Sequence, residues 1–196
     1  MTGKQKILKA MYPVLMGITK LFRANAKIIS NKAGIQPRQP LYAIPVQLNN
    51  GESLSLEAFK GKKILLVNTA SDCGYTNQYE ALQELQQRYA GKLLVLGFPA
   101  NDFKEQEKGD DASIAQFCKI NFGVSFPLVK KSRVIPVSGQ HAVFQWLTHK
   151  EQNGWNEKAP SWNFSKYLVN ESGVLTDYFD PSISPLSKEV VTAIEK

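Results

Sequence analysis

The chain has 196 residues, of which 43% are hydrophobic and 21% are charged, and its formal net charge is +7. This length suits one globular domain with its own core, and the composition excludes a disordered or low-complexity chain. Its two cysteines are too few for a secreted scaffold held by disulfides, so they indicate either a reactive pair or buried thiols.

The positive charge is concentrated at the N-terminus. Residues 1–40 contain eight of the 24 basic residues and no acidic residue, whereas the rest of the chain is close to neutral. Such a basic segment suits an anionic surface, either membrane lipid or nucleic acid. Because the remainder has no basic face, we expect no nucleic-acid partner. Peripheral membrane contact through residues 1–40 is one expectation, and a disordered or self-packed extension is the alternative.

The N-terminal segment has an apolar series of near-helical spacing from Leu8 to Phe22, interrupted by Pro13. Proline is tolerated in a first turn but costs about 3 kcal/mol inside a helix, so we expect a helix to begin near Pro13. The apolar run Val14–Ile18 is far shorter than the roughly 20 residues that span a bilayer. Since Ala24–Ala26 fits a signal-peptidase site, export to the periplasm is an alternative to a cytoplasmic location.

The segment Gly34–Pro40 predicts a linker between a basic N-terminal helical extension, residues 1–40, and a body, residues 41–196. The first half of the body is predicted to contain, in chain order, a hairpin at Asn49–Gly51, a buried strand at Lys63–Ala70, a helix at Tyr79–Tyr89 and a buried strand at Leu93–Phe98. A helix capped by Asp110, Asp111 or Ser113 and a strand at Phe126–Val129 follow. The last predicted elements are a helix at His141–His149, strands at Phe164–Val169 and Val174–Phe179, and a helix capped by Ser187. The two buried strands imply a parallel pair with a right-handed crossover. The order predicts an α/β protein with a central mixed β-sheet flanked by helices.

Cys73 is predicted to lie between a buried strand and the first turn of a helix. The unpaired amides and the dipole there favour an anion, so we expect a lowered thiol pKa. A thiolate can attack a peroxide and become a sulfenic acid. Position alone leaves an inert buried cysteine as an equal alternative, and the charge of Asp72 opposes a thiolate.

Three segments resolve this ambiguity: residues 68–76 read NTASDCGYT, residues 96–107 read LGFPANDFKEQE, and residues 162–169 read WNFSKYLV. Together and in this order they resemble the motifs of the glutathione peroxidase family, and the resemblance runs from about residue 41 to the C-terminus. It implies a thioredoxin-like fold. Ala100, Asp102 and Lys104 depart from the family's common cysteine, glutamine and glycine, and these three positions lie in the second motif beside Gln106.

The resemblance implies that Cys73 attacks the peroxide and that Gln106, Trp162 and Asn163 assist it, with no cofactor and no metal. Neutral donors of these types can stabilise a thiolate and orient a peroxide without protonating the sulfur. A second pair, Trp155-Asn156, also occurs. Only Trp162-Asn163 is followed by the Phe and Lys of the motif.

Cys118 lies in a segment that resembles the resolving-cysteine region of the family's cysteine-containing, thioredoxin-dependent, non-selenium branch. The alternative is a simple core position, because Cys118 shares a predicted helical face with Ile114 and Phe117. A disulfide needs Cα atoms within about 7 Å, so we expect local unwinding around Cys118 during turnover. The short loop between His149 and Trp162 implies, by analogy with the family, a monomer reduced by thioredoxin, with glutathione as the alternative.

The expected function is a thiol peroxidase acting on hydrogen peroxide and on organic or lipid hydroperoxides. One alternative is a peroxide sensor that passes oxidation to a partner protein through the same two cysteines. Another is a membrane-attached redox module whose location is set by residues 1–40. For the thiol peroxidase we expect a cytoplasmic location with membrane association through residues 1–40.

Overall fold

The computed structural model describes residues 2–21 and 27–196. Its helices are α1 (Gly3–Leu21), α2 (Gln78–Arg88), α3 (Asp111–Phe122), α4 (Ala142–Thr148), α5 (Lys150–Asn153) and α6 (Lys188–Glu195), with two short 3-10 helices at Leu41–Ala43 and Leu56–Phe59. Its strands are β1 (Ile28–Ser30), β2 (Val46–Gln47), β3 (Ser53–Leu54), β4 (Lys63–Thr69), β5 (Leu93–Pro99), β6 (Lys166–Val169) and β7 (Leu175–Phe179).

Five strands form one mixed sheet in the order β1-β7-β6-β4-β5. β4 and β5 run parallel, as predicted, and the other neighbours are antiparallel. β2 and β3 form the predicted separate hairpin. The prediction of an α/β protein with a mixed sheet and flanking helices is therefore confirmed.

The sheet has a hydrophobic core on each face because successive side chains of a strand point to opposite sides. Ile64 of β4 joins a cluster that includes Phe144 of α4. Its neighbour Leu65 joins the other cluster, which includes Leu82 of α2. Cys73 and Cys118 both belong to this second cluster, so the two cysteines lie on the same side of the sheet.

Two helix caps and one loop test the predictions for the body. Asp110 caps α3 by accepting a hydrogen bond from Ser113 N, and Ser187 caps α6 in the same way from Val190 N, as predicted. The predicted strand at Phe126–Val129 is wrong, because Leu128 and Val129 make only isolated bridges. Pro127 has no N–H to donate, which limits a regular ladder there.

The N-terminal helix begins earlier than predicted. α1 begins at Gly3 and contains Pro13, so the expected start near Pro13 is wrong. A capping box that we did not recognise explains the earlier start: Gln5 N donates to Thr2 Oγ1 at 3.3 Å and Thr2 N donates to Gln5 Oε1 at 2.7 Å. β1 pairs with β7, so the sheet takes in residues before Leu41.

The predicted linker is held in place, since the backbone N–H groups of Arg38 and Gln39 both donate to Gln152 O. Phe22 and the cleavage pattern at Ala24–Ala26 lie outside the described residues. Within the described ranges, none of the helices has the length and apolar character needed to cross a membrane.

Candidate active site

The turn that carries Cys73 joins β4 to α2. Cys73 lies ahead of α2, which begins at Gln78, and not in its first turn. The backbone N–H of Cys73 donates to Thr76 Oγ1 at 2.9 Å, and the Thr76 hydroxyl lies 2.9 Å from the carbonyl oxygen of Ala70. Thr76 therefore closes the turn through its side chain and sets the direction of the Cys73 side chain.

The sulfur of Cys73 is buried, with only 1% of the residue exposed. Burial raises the pKa of the Cys73 thiol, while hydrogen bonding from the Tyr75 backbone, Trp162 and Asn163 lowers the pKa and the charge of Asp72 raises it. The Tyr75 N–H lies 3.4 Å from the sulfur. The expected lowering of this pKa is therefore wrong, because loss of water outweighs the donors. The opposing effect of Asp72 is confirmed.

Trp162 and Asn163 approach the sulfur from the segment that leads into β6. The segment is fixed by Phe164, whose backbone N–H donates to Asn68 O at 2.7 Å. Phe164 has a φ of 72°, a left-handed conformation that a bulky side chain rarely adopts. Such conformations cost about 1–3 kcal/mol and are retained mainly at functional sites.

Gln106 reaches the site through Asn163. Asn163 Nδ2 donates to Gln106 Oε1 at 3.0 Å, and the backbone N–H of Asp72 donates to Gln106 O at 3.0 Å. Trp162 and Asn163 are the side chains whose hydrogen bonding lowers the pKa of the Cys73 thiol, and Gln106 joins this group through its bond with Asn163.

The loop before Gln106 has an unusual backbone. Lys104 and Glu105 have φ values of 49° and 51°, two successive non-glycine residues in the left-handed region. Lys104 stands where the family's common glycine would allow this conformation without strain. Its Nζ atom lies 5.8 Å from the centroid of the Trp162 ring, a cation–π contact that ties the loop to the site.

Asn68, at the end of β4, has a positioning role that the sequence reasoning missed. It is fully buried, and its Nδ2 atom donates to Trp162 O at 3.2 Å and to Asn163 Oδ1 at 3.3 Å. Its own Oδ1 atom accepts from Ser165 N at 3.0 Å. The available signal was an amide side chain directly after the apolar run Ile64–Val67 of a predicted buried strand, since buried amides need hydrogen-bond partners.

Glu107 was also missed. It is 1% exposed, and its Oε2 atom accepts a hydrogen bond from Ser71 Oγ at 3.0 Å. Burial raises the pKa of Glu107 to about 7, against the lowering effects of Ser71 and of the charge of Lys131. The carboxyl group therefore fastens the loop after Gln106 to the turn that carries Cys73.

Lys166 contacts the start of α2, the helix that follows the turn carrying Cys73. Its ammonium group is fully buried and donates to Gln78 Oε1 at 2.9 Å and to Phe164 O at 2.7 Å. Burial lowers the pKa of Lys166 to about 7, with the charge of Asp180 raising it. The first residue of α2 is thereby connected to the segment that follows Asn163.

Cys118 lies in α3 and is 1% exposed. Burial raises the pKa of the Cys118 thiol to about 12; hydrogen bonding with Tyr79 lowers this pKa and the charge of Glu107 raises it. Both cysteines are free. The structure thus shows two buried thiols in one core cluster, not bonded to each other.

The alternative pair, Trp155-Asn156, has structural partners. Trp155 Nε1 donates to Leu175 O at 2.8 Å, and Asn156 Nδ2 donates to Leu147 O at 2.6 Å. These contacts fix the loop after α5. Trp162-Asn163 is the pair whose hydrogen bonding lowers the pKa of the Cys73 thiol.

Several known proteins resemble this chain in sequence or in fold. The family model described as glutathione peroxidase matches residues 41–148. A glutathione peroxidase homolog BsaA from Staphylococcus epidermidis is 44% identical over 161 residues, covering 81% of this chain and 98% of the relative. The glutathione peroxidase-like peroxiredoxin 2 of Saccharomyces cerevisiae is 38% identical over 160 residues, covering 79% of this chain and 97% of the relative.

The crystal structure of Trgpx in its apo form superposes with a TM-score of 0.60 at 27% identity, covering 81% of this chain and 97% of that chain. The relatives are matched over almost their whole length. About a fifth of the present chain lies outside each match, and the family model begins only at residue 41. The expected thioredoxin-like fold is confirmed.

Proposed function

Because this chain belongs to the glutathione peroxidase family and is a peroxidase, we propose that it reduces hydrogen peroxide and organic or lipid hydroperoxides through Cys73. One observation carries the assignment. The Tyr75 N–H lies 3.4 Å from the Cys73 sulfur, and hydrogen bonding from Trp162 and Asn163 also lowers the pKa of this thiol. Such donors stabilise negative charge on sulfur and favour the form that attacks the peroxide.

The proposed reaction begins with a protonated Cys73, because burial holds its pKa above the usual value. The thiol loses its proton to water in the site, and the three donors stabilise the thiolate. The sulfur attacks one peroxide oxygen, so that an S–O bond forms as the O–O bond breaks. Sulfur is oxidised by two electrons to the sulfenic acid, and the other oxygen takes a proton and leaves as water or an alcohol.

We propose that Cys118 completes the cycle. Its thiol loses a proton and attacks the sulfenic sulfur; an S–S bond forms as the S–O bond breaks, and the hydroxide that leaves takes up the proton as water. Two thiols of thioredoxin then reduce the disulfide. A packed Cys118 with a pKa of about 12 is a poor nucleophile where it lies. The step therefore requires α3 to unwind locally, which exposes the thiol and brings it to Cys73.

Two further features belong to the proposal. The enzyme acts as a monomer with thioredoxin as its reductant and glutathione as the alternative, in the reducing cytoplasm. Residues 1–40 make peripheral contact with a membrane, because they contain eight basic residues and no acidic residue.

Turnover coupled to NADPH oxidation, with thioredoxin or with glutathione, tests the cysteine roles. Cys73→Ser is expected to be inactive with either reductant. Cys118→Ser should lose turnover with thioredoxin and still consume one equivalent of peroxide. Mass spectrometry should show a Cys73–Cys118 disulfide at stoichiometric peroxide, and its persistent absence contradicts the two-cysteine cycle. Transfer of oxidation to a partner protein faster than steady-state cycling would support the sensor alternative.

A further inference from the structure

α1 lies against the rim of the Cys73 site. Gln5 Nε2 donates to the backbone oxygen of Ser71 at 3.3 Å, directly before the Asp72-Cys73 step of the turn. Gln5 and Leu8 line a crevice together with Cys73 and Phe122. Gln5 also lines an adjoining cleft of about 330 Å³.

A third residue of α1 faces the body of the protein. Tyr12 is partly buried, and burial raises its pKa, with the groups of Tyr75 and Glu80 raising it further. Gln5, Leu8 and Tyr12 are three and four residues apart, so they share one helical face. We refer to these three residues as the inner face.

A second side of α1 carries an apolar stripe. Ile7, Met11 and Val14 are 61%, 57% and 60% exposed, the spacing of a second helical face. We refer to these three residues as the outer face. Their large apolar side chains are exposed to water, whereas the inner face of the same helix contacts the body of the protein. A contiguous apolar stripe of this kind marks an interaction surface.

The charge around this stripe indicates what covers it. No acidic residue occurs before Glu52, and α1 itself contains four lysines. Lys6 is exposed next to Ile7. A basic helix with an exposed apolar face binds in the headgroup region of anionic lipid, because apolar burial and charge attraction add there. Nucleic acid would satisfy the lysines and leave the apolar stripe in water.

We propose that the outer face of α1 docks the protein on an anionic lipid surface. The inner face of α1 then holds the rim of the Cys73 site at that surface. Hydroperoxides within the lipid are then presented to the site ahead of those free in solution. This inference rests on the proposed peroxidase role of Cys73. It makes membrane docking and substrate presentation depend on two different faces of one helix.

Vesicle sedimentation with the full chain tests the outer face. The wild-type protein is expected to bind vesicles containing phosphatidylglycerol and to bind pure phosphatidylcholine vesicles weakly. Ile7→Ser/Met11→Ser/Val14→Ser should reduce binding by about tenfold or more, since each apolar side chain buried in the interface contributes. Val137→Ser removes an apolar residue that is 42% exposed elsewhere and should bind as wild type.

The inner face is tested by Gln5→Glu/Leu8→Ser. Glutamate keeps the capping box with Thr2 and removes the donor to Ser71. Binding to the anionic vesicles should persist. The rate on a phospholipid hydroperoxide in those vesicles, divided by the rate on hydrogen peroxide, should fall about fivefold or more, because a rim no longer held at the surface loses positioning. Circular dichroism checks that both variants keep their helix content.

Three results overturn the inference: equal binding to both vesicle types, binding of duplex DNA with no sensitivity to the outer-face substitutions, or an unchanged rate ratio in the inner-face variant. Lack of hydrogen peroxide turnover by the wild type would contradict the proposed function and leave the vesicle-binding result unaffected. The two failures are therefore distinguishable.

Discussion

Asn163 and Gln106 are 57 positions apart in the chain, and Asn163 Nδ2 donates to Gln106 Oε1 across 3.0 Å. This hydrogen bond joins the second motif to the third. Because the amide oxygen of Gln106 is engaged, its amide nitrogen is the group that it can offer to a bound peroxide. Asn163 also accepts a hydrogen bond from Asn68 Nδ2 at 3.3 Å and lowers the pKa of the Cys73 thiol, so it connects Gln106, Asn68 and Cys73.

Replacing Asn163 with alanine should remove the side-chain interactions with Gln106, Asn68 and the Cys73 sulfur. We expect the second-order rate of Cys73 oxidation to fall by about 10²-fold, the usual effect of removing one preorganised donor from an active site. Stopped-flow measurement with hydrogen peroxide gives the rate. The matched control is Asn156→Ala in the other Trp-Asn pair, which should lower stability through the lost bond to Leu147 without slowing the oxidation of folded protein. Equal loss of rate in both variants would contradict a specific role for Asn163.

Glu107→Gln should change how stability depends on pH. The folded carboxyl has a pKa of about 7 and the unfolded one about 4.5, so between these values the native state holds a proton that the unfolded state releases. The wild type therefore loses stability through Glu107 as pH rises from about 4.5 to about 7. Glutamine keeps an acceptor for Ser71 Oγ and does not titrate. Relative to wild type, Glu107→Gln should gain up to about 3 kcal/mol of unfolding free energy over this range.

Urea unfolding at pH 5 and pH 8 provides the measurement. Groups such as His141 titrate in both proteins and cancel in the difference. A difference between the two proteins that is constant over the pH range would show that the buried carboxyl is not perturbed.

Cys118 should react slowly with iodoacetamide in folded Cys73→Ser protein. The residue is 1% exposed, and burial raises its thiol pKa to about 12, so reaction depends on local opening of α3. We expect a rate at least about 100-fold below that of the same cysteine in urea-unfolded protein, increasing at low urea concentrations. Mass spectrometry follows the alkylation. Native reactivity equal to that of the unfolded chain would show that Cys118 is accessible without unwinding.

Lys104→Gly should stabilise the loop before Gln106. Lys104 has a φ of 49°, which costs a non-glycine residue about 1 kcal/mol, whereas glycine adopts it freely. The lost cation–π contact with Trp162 offsets part of the gain, so we expect about 0.5 kcal/mol by thermal unfolding. Lys108→Gly, also exposed and outside the positive-φ set, should be neutral or destabilising. Destabilisation by Lys104→Gly greater than that by Lys108→Gly would contradict the strain argument.

Short-range features of this protein could be predicted from its sequence. The buried strands β4 and β5, the caps Asp110 and Ser187 and the hairpin at Asn49–Gly51 follow from hydrophobic runs and turn chemistry, which act over a few residues. The family could be identified from three motifs, because residue types and their order along the chain can be recognised without knowing how the motifs pack together. The capping box of Thr2 and Gln5 was also readable from sequence, and the cost of Pro13 obscured it.

The tertiary structure decided the properties that depend on burial and on partners far apart in the chain. The pKa of Cys73 is raised and not lowered, because desolvation by the surrounding core outweighs its hydrogen-bond donors. Asn68 and Glu107 gained their roles from partners on other segments, Asn163 and Ser71. The contact of Gln5 with Ser71 joins residues 66 positions apart, so no local pattern could reveal it. The sequence by itself determines local backbone geometry and the chemistry of each residue. Only the folded chain sets the solvent exposure of a group and its distance from groups far away in the sequence, and exposure and distance control the chemistry of the site.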